Sequence, residues 1–175
     1  MKESLFRILN KFRHGVEVIE AGPDHLEDCI TIAFDACVEA GLAPEGDKER
    51  RVLIERLGDR LTKIIYSTEG CVLLAKRNGE AVGIVYCGLT PAEPWQDKPT
   101  MALWDIYVVP GSRNDGQVAL GLMRAGIGRA INWGVGVMCI SLDDKQRKEI
   151  ERYTKIGGFE FVTTQSVYSL RVGGN

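Results

Sequence analysis

Apolar residues recur at helical spacing in three segments of the first part of the chain. The first segment is a short basic amphipathic helix within residues 1–14, and its apolar positions are Leu5, Ile8, Leu9 and Phe12. The other two helices run from Pro23-Asp24 to near Gly41 and from Gly46-Asp47 to about Tyr66. Residues 16–20 alternate between apolar and polar and predict a strand ahead of these two helices.

The clearest local pattern is a β-hairpin in the middle of the chain. Residues 71–77 and 80–87 are apolar runs joined by Asn78-Gly79, a dipeptide that supplies the positive φ angles of a tight hairpin turn. A polar loop over residues 90–99 then leads into a strand over residues 101–109, which Pro110 ends. We expect that strand to be central in the sheet.

A helix that contains glycine follows the loop over residues 111–116. It is predicted from Gln117 to Trp133-Gly134 and holds three interior glycines, each of which costs about 0.5–1 kcal/mol relative to alanine. Their presence indicates that the helix packs closely on the sheet. The remaining predicted elements are a strand at 135–142, a charged helix at 143–156 and strands at 159–162 and 166–171.

This order of elements and two short motifs together resemble the GNAT superfamily of acetyl-CoA-dependent N-acyltransferases over residues 16–172. The first motif is the continuous run Trp104-Asp105-Ile106-Tyr107-Val108-Val109-Pro110-Gly111-Ser112-Arg113-Asn114-Asp115-Gly116-Gln117-Val118, and the second, looser motif is Tyr153-Thr154-Lys155-Ile156-Gly157-Gly158-Phe159. The resemblance implies an α/β domain over residues 15–175, with a mixed, mostly antiparallel sheet and helices on both faces. Residues 1–14 would be a short helical appendage.

The resemblance also implies where the cofactor diphosphate binds. In the family motif Gln/Arg-x-x-Gly-x-Gly/Ala, backbone N–H groups and a helix N-terminus meet the phosphate oxygens. Arg113 and Gly116 match this motif, but Val118 stands where the family has Gly or Ala, and Asp115 adds a carboxylate beside the expected diphosphate. The implied cofactor-binding residues are Tyr107, Val108 and Val109 on the strand, and Arg113, Asn114, Asp115, Gly116, Gln117 and Val118 after it.

Two catalytic residues follow from the same resemblance. Asp105, the only acid on its strand, would accept a proton from the attacking amine, and a structural hydrogen-bonding role is the alternative. Tyr153 would protonate the departing thiolate if Gly158 is an insertion; without an insertion, Thr154 takes that position. The Val109 N–H would polarise the thioester carbonyl.

The resemblance places the acceptor amine between the first two helices and the loop over residues 89–100. Aromatic residues in these segments could line an acceptor pocket, with ordinary packing as the alternative, and acidic residues could attract the amine, with a solvated loop as the alternative. The candidate walls are Trp95 and Trp104, and the candidate partners of a cationic amine are Glu39, Glu45 and Asp47.

Composition excludes several other classes of protein. The 22 basic and 24 acidic residues give a net charge of −2, without the positive excess that binding of duplex nucleic acid requires. No apolar run approaches the roughly 18–20 residues of a membrane span. The 5 cysteines include no CxxC or Cys/His cluster, which favours buried thiols in a reducing compartment and argues against a metal site. We therefore expect a cytoplasmic protein without a metal, and the resemblance implies acetyl-CoA as a substrate.

Two functions remain in competition at this point. The first is transfer of an acetyl group from acetyl-CoA to an amine of a small molecule or protein, by direct attack in a ternary complex. The second is a catalytically silent GNAT-like domain with a structural or protein-binding role, for example in a phage virion. Val118, Asp115 and a helix within residues 1–14 that could dock on a protein partner favour the second function. Homo-oligomer formation is left open.

Overall fold

The computed structural model describes residues 15–92, 94, 97–114 and 116–140. All of them belong to the first of two units into which the chain divides, residues 1–141. The predicted helix within residues 1–14 and every predicted element after residue 140 lie outside the described residues, as do Asp115 and Tyr153.

Five strands form a single sheet in chain order. They are β1 (Val16–Glu20), β2 (Gly70–Arg77), β3 (Glu80–Thr90), β4 (Thr100–Val108) and β5 (Val137–Ile140). Strands β1 to β4 pair antiparallel, whereas β5 pairs parallel to β4. The predicted hairpin joins β2 to β3, and Asn78 and Gly79 adopt φ angles of 54° and 87° in its turn.

Helices cover both faces of this sheet. They are α1 (Leu26–Glu39), α2 (Asp47–Ile65) and α3 (Gln117–Asn132), and single 3-10 turns precede α1 and α3 at Pro23–His25 and Pro110–Ser112. Helices α1 and α2 bury one face, where Ile84 of β3 belongs to their core. Helix α3 packs on the other face, against Gly83, because neighbouring residues of a strand point to opposite sides. The predicted mixed, mostly antiparallel α/β fold is confirmed.

Strand β4 carries one extra residue where it pairs with β3. The pairing moves two residues along β3, from Ile84 to Tyr86, while it moves three along β4, from Tyr107 to Trp104. The strand therefore bulges at its centre, and Asp105 lies in the bulge. Bulges bend a strand and redirect its side chains, and they are frequent beside active sites.

Val118 is fully buried and fills a space that a glycine leaves in β3. A Cβ atom added at Gly83 would lie 2.8 Å from Val118 Cγ1, 3.1 Å from the Tyr107 carbonyl oxygen and 3.2 Å from Leu122 Cδ1. The side chain at position 118 is thus directed into the core between α3 and the sheet. The valine that departs from the family motif is explained by this contact with Gly83.

The contact between Gly83 and Val118 predicts coupled stabilities. We expect Gly83→Ala to lower the free energy of unfolding by about 1–3 kcal/mol, because the new methyl group overpacks a filled core. In Gly83→Ala/Val118→Ala the obstructing Cγ1 is gone, so the double variant should lose less than the sum of the two single variants. Urea denaturation measures all three. Gly22→Ala is the control, since a Cβ at Gly22 has no heavy atom within 4 Å; strictly additive losses would contradict the coupling.

Candidate active site

The loop between β4 and α3 turns sharply at a glycine. The backbone carbonyl oxygen of Arg113 accepts a hydrogen bond from the Gly116 N–H (3.2 Å), and the Gly116 carbonyl oxygen accepts one from the Leu120 N–H (3.0 Å). Gly116 has the left-handed φ of 64°, which a glycine adopts without strain. It caps α3, whose first N–H groups have no carbonyl partner within the helix. The loop therefore connects the end of β4 to the N-terminus of α3, where free backbone N–H groups can bind an anion.

The Arg113 side chain ties this loop to two other elements. Its Nε donates to the Val108 carbonyl oxygen at 2.7 Å. Its Nη1 and Nη2 donate to the two carboxylate oxygens of Glu39, the last residue of α1, at 2.7 and 2.6 Å. The guanidinium also lies over the Tyr107 ring, 5.4 Å from its centroid, and the Tyr107 hydroxyl donates to Glu39 Oε2 at 3.1 Å. Glu39, Tyr107 and Arg113, here called the Glu39 cluster, form one connected network.

The electrostatics of the Glu39 cluster follow from these contacts. The hydrogen bonds from Arg113 lower the pKa of the Glu39 carboxyl group. The same bonds raise the pKa of the Arg113 guanidinium. The pKa of Tyr107 is raised, first by desolvation and then by its hydrogen bond to Glu39. At neutral pH Glu39 is therefore ionised and the Tyr107 hydroxyl keeps its proton.

This ion pair predicts a pH dependence of stability. The pKa of Glu39 in the folded state lies below the ordinary glutamate value of about 4.3. The ionised carboxylate therefore stabilises the fold at pH values above about 4.3. This stabilisation is lost as the pH falls through the lowered pKa of the folded state. The difference in unfolding free energy between wild type and Glu39→Gln should be small, because both side chains of the pair are exposed, and it should be constant from about pH 8 to 5 and shrink below about pH 4. Urea denaturation at a series of pH values measures it, with Glu45→Gln as control. A difference that grows on acidification would contradict this assignment.

The Val109 N–H, which the resemblance assigned to the thioester carbonyl, is engaged within the sheet. It donates to the Val82 carbonyl oxygen at 3.0 Å and so continues the pairing of β3 with β4. A role in polarising the thioester would require this bond to break. With this bond in place, the Val109 N–H cannot donate to the thioester oxygen.

The face of β4 toward α1 and α2 exposes an aromatic side chain. Trp104 is 41% exposed, and its indole lies where any side chain at Gly88 would project. Tyr86 is the residue of β3 that pairs with Trp104. The Cζ atom of Arg60 lies over the Tyr86 ring, 5.5 Å from its centroid. Of the two candidate acceptor walls the structure describes Trp104, whereas Trp95 lies outside the described residues.

The structure brings together only part of the set predicted from sequence. Tyr107, Val108 and Arg113 are in contact, and Asn114 is exposed in the loop beside them. Glu39 is one of three candidate partners of a cationic amine, with a solvated loop as the plainer interpretation, and the structure pairs its carboxylate with Arg113. Sequence reasoning missed this pair, since the two residues are 74 positions apart and neither motif includes Glu39.

Neither a metal site nor a membrane span was found in the part of the chain that the structure describes. No group of three or more His, Cys, Asp or Glu side chains there could hold a metal ion. No helix among these residues is long and apolar enough to cross a membrane.

Comparison with known proteins identifies the family. A family model described as the acetyltransferase (GNAT) family matches residues 32–159, whereas no curated protein sequence matches the chain. One similar solved structure is a transcriptional regulator from Bacillus halodurans, with 16% identity over 89% of this chain and 99% of that chain and a TM-score of 0.65. A second is an aminoglycoside N-acetyltransferase in complex with CoA, with 18% identity over 89% of this chain and 95% of that chain and a TM-score of 0.63. A third is a predicted acetyltransferase with acetyl-CoA from Clostridium acetobutylicum, with 16% identity over 90% of this chain and 96% of that chain and a TM-score of 0.62. At these identities the structures show a shared fold. With the family match over most of its length, the chain belongs to the GNAT acetyltransferase family.

Proposed function

We propose that this protein transfers an acetyl group from acetyl-CoA to an amine by direct attack in a ternary complex. The observation that carries the proposal is the turn at Gly116, which leads from the end of β4 into the N-terminus of α3 with Arg113 at the motif position. Related structures that contain CoA or acetyl-CoA support the choice of cofactor. No metal takes part in the proposed reaction.

The diphosphate of the cofactor would bind the backbone N–H groups at the start of α3. Gly116 has no side chain, and Val118 is buried against β3, so neither obstructs an anion at the helix N-terminus. Gln117, between them, opens the helix. Tyr107, Val108 and Val109 would line the pantetheine arm at the end of β4. The departure at position 118 is therefore compatible with cofactor binding.

The chemistry needs one proton acceptor and one proton donor. The amine nitrogen attacks the thioester carbonyl carbon, the C–N bond forms, and the C–S bond breaks as the tetrahedral intermediate collapses. Asp105, in the bulge of β4, would take the proton from the attacking amine, directly or through water. Tyr153 would return a proton to the CoA thiolate. Its place lies outside the described residues, and its role stays a prediction.

The acceptor side of the site favours an amine that carries positive charge. The exposed indole of Trp104 offers a π face to an ammonium group on the same side of the sheet as α1 and α2. Several related structures are aminoglycoside acetyltransferases, whose acceptors are amines. A small molecule or a protein amine would satisfy this surface equally.

Three features of the sequence favoured the alternative of a catalytically silent domain, namely Val118, Asp115 and the helix within residues 1–14, and the first of them now has a structural explanation. Val118 is accounted for by its contact with Gly83, and its side chain is buried away from the loop surface. Asp115 and residues 1–14 lie outside the described residues. No described feature favours this alternative. A protein partner through residues 1–14, a homo-oligomer and a cytoplasmic location also stay predictions.

The proposed function is tested by calorimetric titration of the full chain with acetyl-CoA. Saturable binding with a Kd in the micromolar range is expected, followed by release of free CoA thiol when a panel of primary amines is added. The thiol is measured with a chromogenic disulfide, and denatured protein gives the background. If the protein shows no heat and no thermal stabilisation at millimolar acetyl-CoA, the transferase proposal is wrong.

A further inference from the structure

We infer that Glu39 is a positioning residue for the cofactor loop, and that Arg113 supports cofactor binding by shaping this loop and not by contact with the diphosphate. This inference rests on the proposed function. It assigns a role in cofactor binding to the last residue of α1, a helix outside the cofactor motif.

The first argument is that all three nitrogens of the Arg113 guanidinium already donate hydrogen bonds within the protein. Each of its three nitrogens has an acceptor: Nε has the Val108 carbonyl, and Nη1 and Nη2 have the Glu39 carboxylate. One flat face lies on Tyr107. These bonds use three of the five guanidinium N–H groups, and a guanidinium that moved to meet a diphosphate would give them up.

The second argument is the side of the sheet on which the guanidinium lies. Tyr107 packs with the core beneath α1 and α2, and Glu39 ends α1. Helix α3, whose N-terminus would receive the diphosphate, packs on the opposite face of the sheet. The charged group of Arg113 and the expected diphosphate site are therefore on different sides of β4. The backbone of the loop is what links them.

The third argument is that the backbone of Arg113 is itself part of the loop. Its N–H donates to the Pro110 carbonyl at 3.3 Å, and its carbonyl accepts from the Gly116 N–H at 3.2 Å. Fixing the side chain between Val108 and Glu39 therefore fixes the residue from which the turn is built. A guanidinium presents its donors in a rigid planar fork that fits a carbonyl and both oxygens of a carboxylate at once, whereas the three donors of a lysine ammonium radiate from a single nitrogen.

The expected effect is local. Arg113 and Glu39 have side-chain exposures of 42% and 45%, and exposed ion pairs contribute little to global stability. A bidentate pair within a network can still restrict the motion of a short loop. Loss of Glu39 should thus loosen the loop without unfolding the domain.

The test compares Glu39→Gln with the control Glu45→Gln, which removes a carboxylate from the segment between α1 and α2. Amide hydrogen exchange is followed by mass spectrometry on the free full-length protein. Peptides that cover residues 109–120 should exchange several-fold faster in Glu39→Gln and at the wild-type rate in the control. Calorimetry should give an acetyl-CoA Kd about three- to tenfold higher for Glu39→Gln only, which corresponds to about 0.7–1.4 kcal/mol.

A double variant shows whether Glu39 acts through Arg113. In an Arg113→Ala background, Glu39→Gln should cause no further weakening of acetyl-CoA binding, because the residue it positions is gone. Unchanged exchange in the loop of Glu39→Gln would overturn the inference. Tighter acetyl-CoA binding by Glu39→Gln would also overturn it, since Glu39 would then compete with the diphosphate. If wild type binds no acetyl-CoA, the proposed function fails, while the exchange rates still decide whether Glu39 holds the loop.

Discussion

Replacing Asp105 with asparagine is expected to lower the rate of acetyl transfer about 100-fold or more, because general-base catalysis contributes roughly 10²–10⁴-fold. The acetyl-CoA Kd should change by less than about twofold, since an asparagine keeps the size of the side chain and the bulge of β4 is a backbone feature. Thiol release with a saturating primary amine measures the rate, and calorimetry measures the Kd.

The pH profile of Asp105→Asn gives a second readout. The loss of rate should persist at every pH from about 7 to 9, because the amide cannot accept the proton of the amine at any of them. Asp97→Asn, in the loop before β4, removes a carboxylate outside the bulge and is the control. A variant with full activity would show that Asp105 has a structural role only.

Arg113→Ala is expected to weaken acetyl-CoA binding about 30- to 100-fold, or roughly 2–3 kcal/mol. The alanine removes the hydrogen bonds to Val108 and Glu39 and the contact with Tyr107, so the loop loses its attachment to β4 and α1. Calorimetric titration with acetyl-CoA measures the change.

Arg113→Lys separates charge from shape at the same position. Lysine keeps the positive charge but cannot satisfy a carbonyl and both carboxylate oxygens together, so its affinity should stay about tenfold below wild type. Arg124→Lys, in the middle of α3, is the matched control and should bind as wild type does. If Arg113→Lys binds acetyl-CoA as tightly as wild type, charge alone accounts for the role of Arg113.

Most of the fold could be predicted from the sequence because its signals are local. The hairpin turn at Asn78-Gly79 depends on two residues that tolerate positive φ, and the structure has both of them in that conformation. The strand predicted at residues 101–109 is observed at Thr100–Val108. Glycine in the third helix indicated close packing, and a Cβ at Gly126 would lie 3.0 Å from Leu103 Cδ2.

The geometry of the site could not be predicted in the same way, because it depends on register between distant segments. Nothing near Glu39 in the sequence indicates that the end of α1 reaches the loop after β4. The bulge at Asp105 has no glycine or proline to mark it and is visible only in the pairing with β3. The burial of Val118 likewise depends on a glycine in another strand.

The fit of Val118 to Gly83 also constrains how this chain can change. Alanine or glycine at position 118 would leave a void above Gly83, and any larger residue at Gly83 would strike Val118. The two positions are therefore epistatic: a lineage that moves between valine and the usual small residue of the family must pass through a less stable intermediate, or change both positions together. A redesign of the cofactor loop toward the family motif should accordingly change Gly83 and Val118 together, and not the loop position alone.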